Sequence, residues 1–173
     1  MFFTVFLMVV IIQRLSELAL AKRNERWMKE RGGKEFGKSH YWAMVLMHLV
    51  FFISLVLEVT VLQRTLNPYW GALIIIFLLT QAARIWIIGT LGKYWNTKII
   101  VLPGAKSVKK GPFKYIKHPN YLIVTIELII IPLIFQAYLT AAVFFVLNQF
   151  VLAVRIPVEE KALRKYTDYP SRL

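Results

Sequence analysis

Two stretches of this chain concentrate the residues that could do chemistry. One runs Leu91-Gly92-Lys93-Tyr94-Trp95-Asn96-Thr97, then Leu102-Pro103-Gly104, then Lys109-Lys110-Gly111-Pro112-Phe113-Lys114-Tyr115-Ile116-Lys117-His118-Pro119-Asn120-Tyr121. Pro119 suits the first position of a helix and pushes His118 into an extended conformation. A His fixed there, beside unpaired backbone N–H groups, can bind a carboxylate or phosphate. Lone His40 and His48 read as structural. The other stretch is Arg155-Ile156-Pro157-Val158-Glu159-Glu160-Lys161-Ala162-Leu163, ending in Tyr166, Asp168 and Tyr169. Arg155 and Glu159 share a face on a continuous helix. Pro157 removes a backbone donor between them, so a kink there would separate them.

These stretches must be positioned by strongly apolar elements. Of the 173 residues, 58% are hydrophobic and 14% aromatic, with a mean hydropathy of +0.57. The apolar residues come in blocks of about 20, the length that crosses a bilayer. Met1–Leu20, Tyr41–Leu62 and Trp70–Gly89 are three such blocks. Tyr121–Ile156 is too long for one span, and Pro132 with Gln136 marks a tight turn that makes it two helices of about 18 residues each. The reading is an all-α integral membrane protein of about five transmembrane helices, the last two a tight hairpin. The first block is expected to be kept as a span, not cleaved at Ala19-Leu20-Ala21, because no basic residue precedes it.

Charge sets the orientation. Lys and Arg number seven in Lys22–His40, seven in Gly89–Asn120 and five in Arg155–Leu173; the loop Gln63–Tyr69 has only Arg64. This alternation predicts an N-terminus outside and a C-terminus in the cytoplasm. The net charge of +13 then reflects cytoplasmic loops rather than nucleic-acid binding. The first helix is expected to run past the membrane, with Glu25–Lys29 and Arg26–Glu30 at i,i+4 and Gly32-Gly33 as its stop. Within the spans, Arg14, Glu17, Glu58, Arg84 and Glu127 must each face protein or a wet cavity, since a charge at the bilayer centre costs at least about 2.5–3.5 kcal/mol. A local pair is expected for Arg14 and Glu17; for the other three, pairing and function stand level.

No cysteine is present, which excludes thiolate catalysis and disulfides. Three scattered His make a zinc site improbable, so no metal is expected. No Walker loop or dinucleotide fingerprint occurs in a strand-to-helix setting. The chain reads as one domain over 1–173, with N-terminal helices and a basic loop in 1–88 and the chemistry-bearing part in 89–173.

The segments Leu91–Thr97, Gly111-Pro112-Phe113-Lys114-Tyr115 and His118-Pro119-Asn120-Tyr121 resemble the central motif of the isoprenylcysteine carboxyl methyltransferase family of integral-membrane enzymes. Arg155 with Glu159-Glu160, Leu163 and Tyr166–Tyr169 resembles its C-terminal motif. The stretches Arg14–Leu18 and Arg23–Met28 resemble a bacterial branch of it. Phe113 stands where the family usually has Tyr, Lys117 where it has Arg, and bulky Leu122 and Ile123 follow Tyr121 where a small residue is common.

The resemblance implies methyl transfer from S-adenosylmethionine at the cytoplasmic side of a bacterial cell membrane. By analogy, Gly111, Pro112, Tyr115, His118, Tyr121, Glu160 and Leu163 line the donor site, while Arg155 and Glu159 lie at the reaction centre. The branch implies a hydroxyl acceptor on a long-chain lipid, either a polyketide-derived phenolic lipid or an alkylpyrone. The alternative acceptor is an isoprenylcysteine or another lipid carboxylate. Implied partners are this lipid-like acceptor, membrane lipids and an enzyme that supplies the acceptor, with no nucleic acid. A third reading, a non-catalytic protein binding anionic lipid through Lys109, Lys110, Lys114 and Lys117, rests on electrostatics alone.

Overall fold

The computed structural model describes residues 1–169. The chain is mostly helical, in the order α1 (Phe2–Lys29), β1 (Lys34–Phe36), α2 (Lys38–Val61), α3 (Trp70–Leu91), β2 (Ile99–Val101), α4 (Pro119–Ile134) and α5 (Tyr138–Tyr166). Short 3₁₀ turns occupy Gly92–Tyr94 and Gly111–Lys114. Helices α1, α2, α3 and α5 are each long and apolar enough to cross a membrane, whereas α4 is a shorter apolar helix. An all-α membrane protein is therefore what the chain forms, with one small addition: β1 and β2 pair antiparallel, Lys34 opposite Val101 and Phe36 opposite Ile99. Three-residue strands inside basic loops carry too short a pattern to be seen in sequence.

Two compact units form, each assembled from segments of both 1–88 and 89–173. One comprises Met1–Lys38, Leu91–Ser107 and the chain from Val158; the other comprises Ser39–Thr90 and Val108–Pro157.

In the first unit, α1 stops where the glycines lie. The Gly33 N–H donates to the Met28 carbonyl at 2.8 Å, and a Cβ on Gly33 would sit 2.7 Å from that oxygen. Glu25 pairs with Lys29 as expected, while Glu30 lies 3.8 Å from Arg31. Two asparagines tie the Leu91–Thr97 loop to α1. Buried Asn24 donates to the Trp95 carbonyl at 2.8 Å and to that of Gly92 at 3.2 Å. Asn96 donates back to the Ala21 carbonyl at 3.1 Å. Lys98 bonds Glu25 at 2.8 Å, and Lys29 bonds Glu35 at 2.8 Å. The hydrogen bond that the Lys98 ammonium donates to Glu25 is the main reason it titrates above the ordinary lysine value.

In the second unit, the ionisable residues of the apolar helices are answered by neighbours. Arg84 on α3 and Glu127 on α4 form a fully buried ion pair, and Gln81 adds a 2.8 Å hydrogen bond to Glu127. Buried Glu58 on α2 accepts from the backbone N–H groups of Leu139 and Thr140 at 3.2 and 2.7 Å, and from the Thr140 hydroxyl at 2.7 Å. A carboxylate there satisfies the orphan donors of the first turn of α5. At the other side of the turn, Asn67 takes up the last carbonyls of α4: its N–H reaches Ile134 at 2.9 Å and its side chain reaches Leu133 at 3.1 Å. Gln136, at φ +54°, donates to Thr65 and Leu66 at 3.0 Å each.

The two C-terminal helices are unequal, 16 and 29 residues, not the two of about 18 expected. Helix α4 already ends at Ile134, because the backbone reverses at Phe135 and Gln136. Helix α5 continues through Pro157 to Tyr166, since one missing N–H leaves the flanking hydrogen bonds in place. In the first unit, Arg14 and Glu17 form the expected local pair at 2.8 Å.

The buried pair generates a prediction. Glu127→Gln leaves the Arg84 guanidinium uncompensated and is expected to cost about 3–5 kcal/mol. The double variant Arg84→Met, Glu127→Met is expected to recover most of it, because both charges go together. Thermal unfolding of detergent-purified protein checks both.

Candidate active site

His118, Tyr121 and Arg155 come together in the second unit. Helix α4 starts at Pro119, and the His118 carbonyl accepts from Tyr121 and Leu122 at 3.1 and 3.3 Å. That duty sets the His118 backbone at φ −126°, ψ +64°, less extended than the sequence suggested. Its ring stacks on Tyr121, centroids 5.5 Å apart and planes inclined by 26°. The Arg155 guanidinium, 3% exposed, lies 5.9 Å from the centre of the same Tyr121 ring. One aromatic ring thus touches an imidazole and a cation that are 37 residues apart in sequence.

The turn before α4 is built on Gly111 and Pro112. Gly111 has φ +57°, and a Cβ on it would lie 2.8 Å from the Thr90 hydroxyl oxygen and 3.3 Å from the Trp86 indole nitrogen. Thr90 cannot easily turn away, because that hydroxyl donates to the Trp86 carbonyl at 2.7 Å. Pro112 is buried, and its carbonyl accepts from Tyr115 and Ile116 at 3.1 and 3.0 Å. The Tyr115 side chain departs from the group: it is 75% exposed, with Lys114 over its ring at 5.6 Å. Leu122 also points out, while Ile123 is buried.

Glu159, Glu160 and Leu163 lie on the later turns of α5, in the first unit. The helix is unbroken from Arg155 to Glu159, so the two keep their i,i+4 spacing through Pro157. Glu160 bonds Arg164 at 2.5 Å. The chain beyond the helix is held by the segment after β2. Gly104 N–H donates to the Tyr166 carbonyl at 2.8 Å, and Ser107 N–H to the Asp168 carboxylate at 2.5 Å. Burial, helped by the charges of Glu160 and Glu159, pushes the Tyr169 hydroxyl above the ordinary tyrosine range. That hydroxyl has no hydrogen-bond partner among the described residues.

The model of the isoprenylcysteine carboxyl methyltransferase family matches residues 72–165, more than half of the chain. The chain belongs to that family. Its matched segment contains the His118–Tyr121–Arg155 cluster, the Gly111 turn and both glutamates. An uncharacterized protein of Bacillus subtilis, YpbQ, is 44% identical over 95% of this chain and 98% of its own length. An uncharacterized protein of Haemophilus influenzae is 28% identical over 94% of this chain and 95% of its own. No solved structure matches.

The structure draws attention to one further residue of the second unit. His40, on the first turn of α2, read as structural, yet both its ring nitrogens are shut from solvent without a hydrogen-bond partner among the described residues, and the Arg155 charge acts on it. Nothing in the spacing of a lone His announces that. Asn120, inside the motif, likewise keeps a buried side-chain oxygen without a partner among the described residues.

Two outcomes follow. Gly111→Ala is expected to destabilise by about 1–3 kcal/mol, the cost of a side chain at left-handed φ. Adding Thr90→Ala should return only part, since it removes the clash but not the backbone strain; unfolding midpoints measure both. For Tyr169, the raised value means that the folded state favours the neutral phenol. Its contribution is complete below the unfolded value near pH 10 and is lost as pH rises through the folded one. Tyr169→Phe is therefore expected to lose less stability than wild type on raising pH from about 9 to 11, read by melting temperature.

Proposed function

We propose that this family member is an S-adenosylmethionine-dependent O-methyltransferase that acts, at the cytoplasmic side of a bacterial cell membrane, on a hydroxyl of a long-chain lipid-like acceptor. The observation that carries the reading is the buried Arg155 guanidinium over Tyr121, itself stacked on His118, within the segment matched by the family. The topology that goes with it has the N-terminus outside and α4 and α5 as a hairpin crossing between leaflets.

The residues present suit a zwitterionic donor. Gly111 takes a left-handed turn in close contact with Thr90 and Trp86, Asn120 holds a buried oxygen without a hydrogen-bond partner among the described residues, and Tyr121 offers an aromatic face to a cation. Gly111, Pro112, His118 and Tyr121 are proposed to hold the donor, together with Glu160 and Leu163 on the evidence of the resemblance. Tyr115, with its ring in solvent, contributes through the backbone turn that it closes on Pro112. When bound, S-adenosylmethionine supplies an activated methyl group.

The chain's own residues then have three tasks. The second unit's aromatic and apolar side chains keep water away. Arg155 orients the acceptor oxygen and stabilises negative charge on it. Glu159 takes the hydroxyl proton at its carboxylate. Alignment is the main contribution a protein can make to a displacement of this kind. Partners on this reading are the lipid-like acceptor, the surrounding lipids and an enzyme that supplies the acceptor. A second reading, esterification of an isoprenylcysteine or another lipid carboxylate, draws support from Arg155, whose planar fork matches two oxygens.

The decisive experiment incubates membranes with isotopically labelled S-adenosylmethionine and lipid extract and identifies the labelled product by mass spectrometry. A labelled ether sustains the first reading and a labelled ester the second. No labelled lipid, and no saturable binding of S-adenosylhomocysteine, sustains a non-catalytic lipid-binding protein. His118→Ala is expected to weaken S-adenosylhomocysteine binding more than it lowers the melting temperature. Glu159→Gln is expected to slow turnover of a phenol by about 10²–10⁴-fold. The deficit should shrink as pH approaches the phenol's own value near 10. With a carboxylate acceptor, the pH profile of the variant should be nearly flat between about pH 6 and 9.

A further inference from the structure

Two polar side chains inside the second unit have no part in the chemistry described above. Thr125 on α4 and Asn148 on α5 meet away from the ends of their helices. The Asn148 amide donates to the Thr125 hydroxyl at 2.9 Å, and that hydroxyl donates to the Tyr121 carbonyl one turn back, also at 2.9 Å. Asn148 is only 2% exposed. The other buried polar groups have evident duties: Glu58 and Asn67 close helix ends, and Arg84 and Glu127 neutralise each other. Asn148 closes no end, and the partner it meets in Thr125 is neutral. Burying its amide costs solvation that the hydrogen bond roughly offsets, so an apolar side chain would hold the two helices together as well.

What apolar packing does not supply is a fixed register. Apolar side chains slide along one another with little loss, whereas a hydrogen bond tolerates only about 0.5 Å of displacement. A single buried Asn on a helix seam selects one register at a cost in stability. Here the seam leads to the site. Arg155 follows Asn148 by seven residues, two turns along the same face of α5. Tyr121 precedes Thr125 by one turn of α4. The Asn148–Thr125 bond and the Arg155 guanidinium, 5.9 Å from the centre of the Tyr121 ring, are thus two rungs between the same pair of helices. A slip of one turn, about 5.4 Å, would carry the guanidinium off that ring.

We propose that Asn148 is a positioning residue, setting through Thr125 the register in which α5 brings Arg155 onto Tyr121. The register does not depend on the methyltransferase reading; its consequence for turnover rests on that reading.

The test uses the full chain in lipid nanodiscs. No cysteine is present, so Leu122→Cys on α4 and Phe150→Cys on α5, both at exposed positions, accept spin labels at those two sites alone. The distance distribution between the labels reads the register. Asn148→Leu removes the amide and keeps the branched shape. It is expected to shift or split the distribution while melting at or above the parent protein, because a buried polar group is gone. Thr125→Ser keeps the hydroxyl and is expected to match the parent. Asn148→Val, nearer in volume to asparagine, repeats the measurement if the leucine variant does not fold. An unchanged distribution overturns the proposal. So does one that changes only together with a lowered melting temperature in both Asn148 variants, since that is the loss of a tie and not of a register. Turnover of isotopically labelled S-adenosylmethionine with lipid extract, measured on the unlabelled variants, is expected to fall about tenfold or more in Asn148→Leu, because small misplacements of reacting groups are costly. A shifted register with undiminished turnover overturns the positioning role. If the wild type transfers no methyl group while the distribution still shifts in Asn148→Leu, the methyltransferase reading falls and the register assignment stands.

Discussion

Hydrocarbon supplies no partner for a charge or an unpaired backbone group, so a chain that threads apolar helices through a bilayer must answer each one from within. That constraint orders most of the second unit. Glu58 reaches from α2 to the start of α5, where free N–H groups would otherwise point into an apolar setting. Asn67 performs the converse task at the end of α4, meeting its last carbonyls. Arg84 and Glu127 answer each other between α3 and α4. Two of these pairings join one helix to another and the Asn67 one joins a connecting segment to α4, and each would be nearly worthless on a wet surface. Surrounded by apolar side chains, the same contacts fix which helix meets which, because an alternative packing would strand a charge.

The same rule makes the remaining groups informative. Arg155 is as buried as Arg84, and its guanidinium lies 5.9 Å from the centre of the Tyr121 ring. A Tyr face stabilises a guanidinium only modestly. The ring nitrogens of His40 and the side-chain oxygen of Asn120 are enclosed without a hydrogen-bond partner among the described residues. Enclosed polar atoms of this kind stand apart from the paired charges of the same unit.

How much of this the sequence disclosed follows from what sequence patterns encode. The class was legible because blocks of about 20 apolar residues have one economical explanation, whereas the expected five spans meet four helices long and apolar enough to cross. The Arg14–Glu17 pair was legible because its spacing is local. The His118-Pro119 start of α4 was legible because φ preferences belong to individual residue types. What stayed hidden was non-local. The β1–β2 pairing joins Lys34–Phe36 to Ile99–Val101 across more than 60 residues, and no short pattern specifies it. Glu58 as the cap of α5 needs knowledge of which helix end it meets. The uneven division of Tyr121–Ile156 hid because hydropathy is uniform across it, while the boundary is drawn by the Phe135–Gln136 reversal and by the Asn67 cap.

His40 shows the limit most sharply. By type and position it is an ordinary residue at the start of an apolar helix, and a solvated ring there would need no explanation. What sets it apart is that neither ring nitrogen meets solvent or a hydrogen-bond partner among the described residues, which only the packed structure can show. The motif-bearing residues carry the complementary lesson. Tyr115 sits within the most recognisable segment, yet its ring is turned to solvent, so membership of a motif does not by itself put a side chain at the chemistry. What does so is the enclosure of a polar group whose hydrogen bonds the described residues leave unmade, and by that criterion Asn120 and His40 rank above the exposed aromatic that the sequence placed beside them.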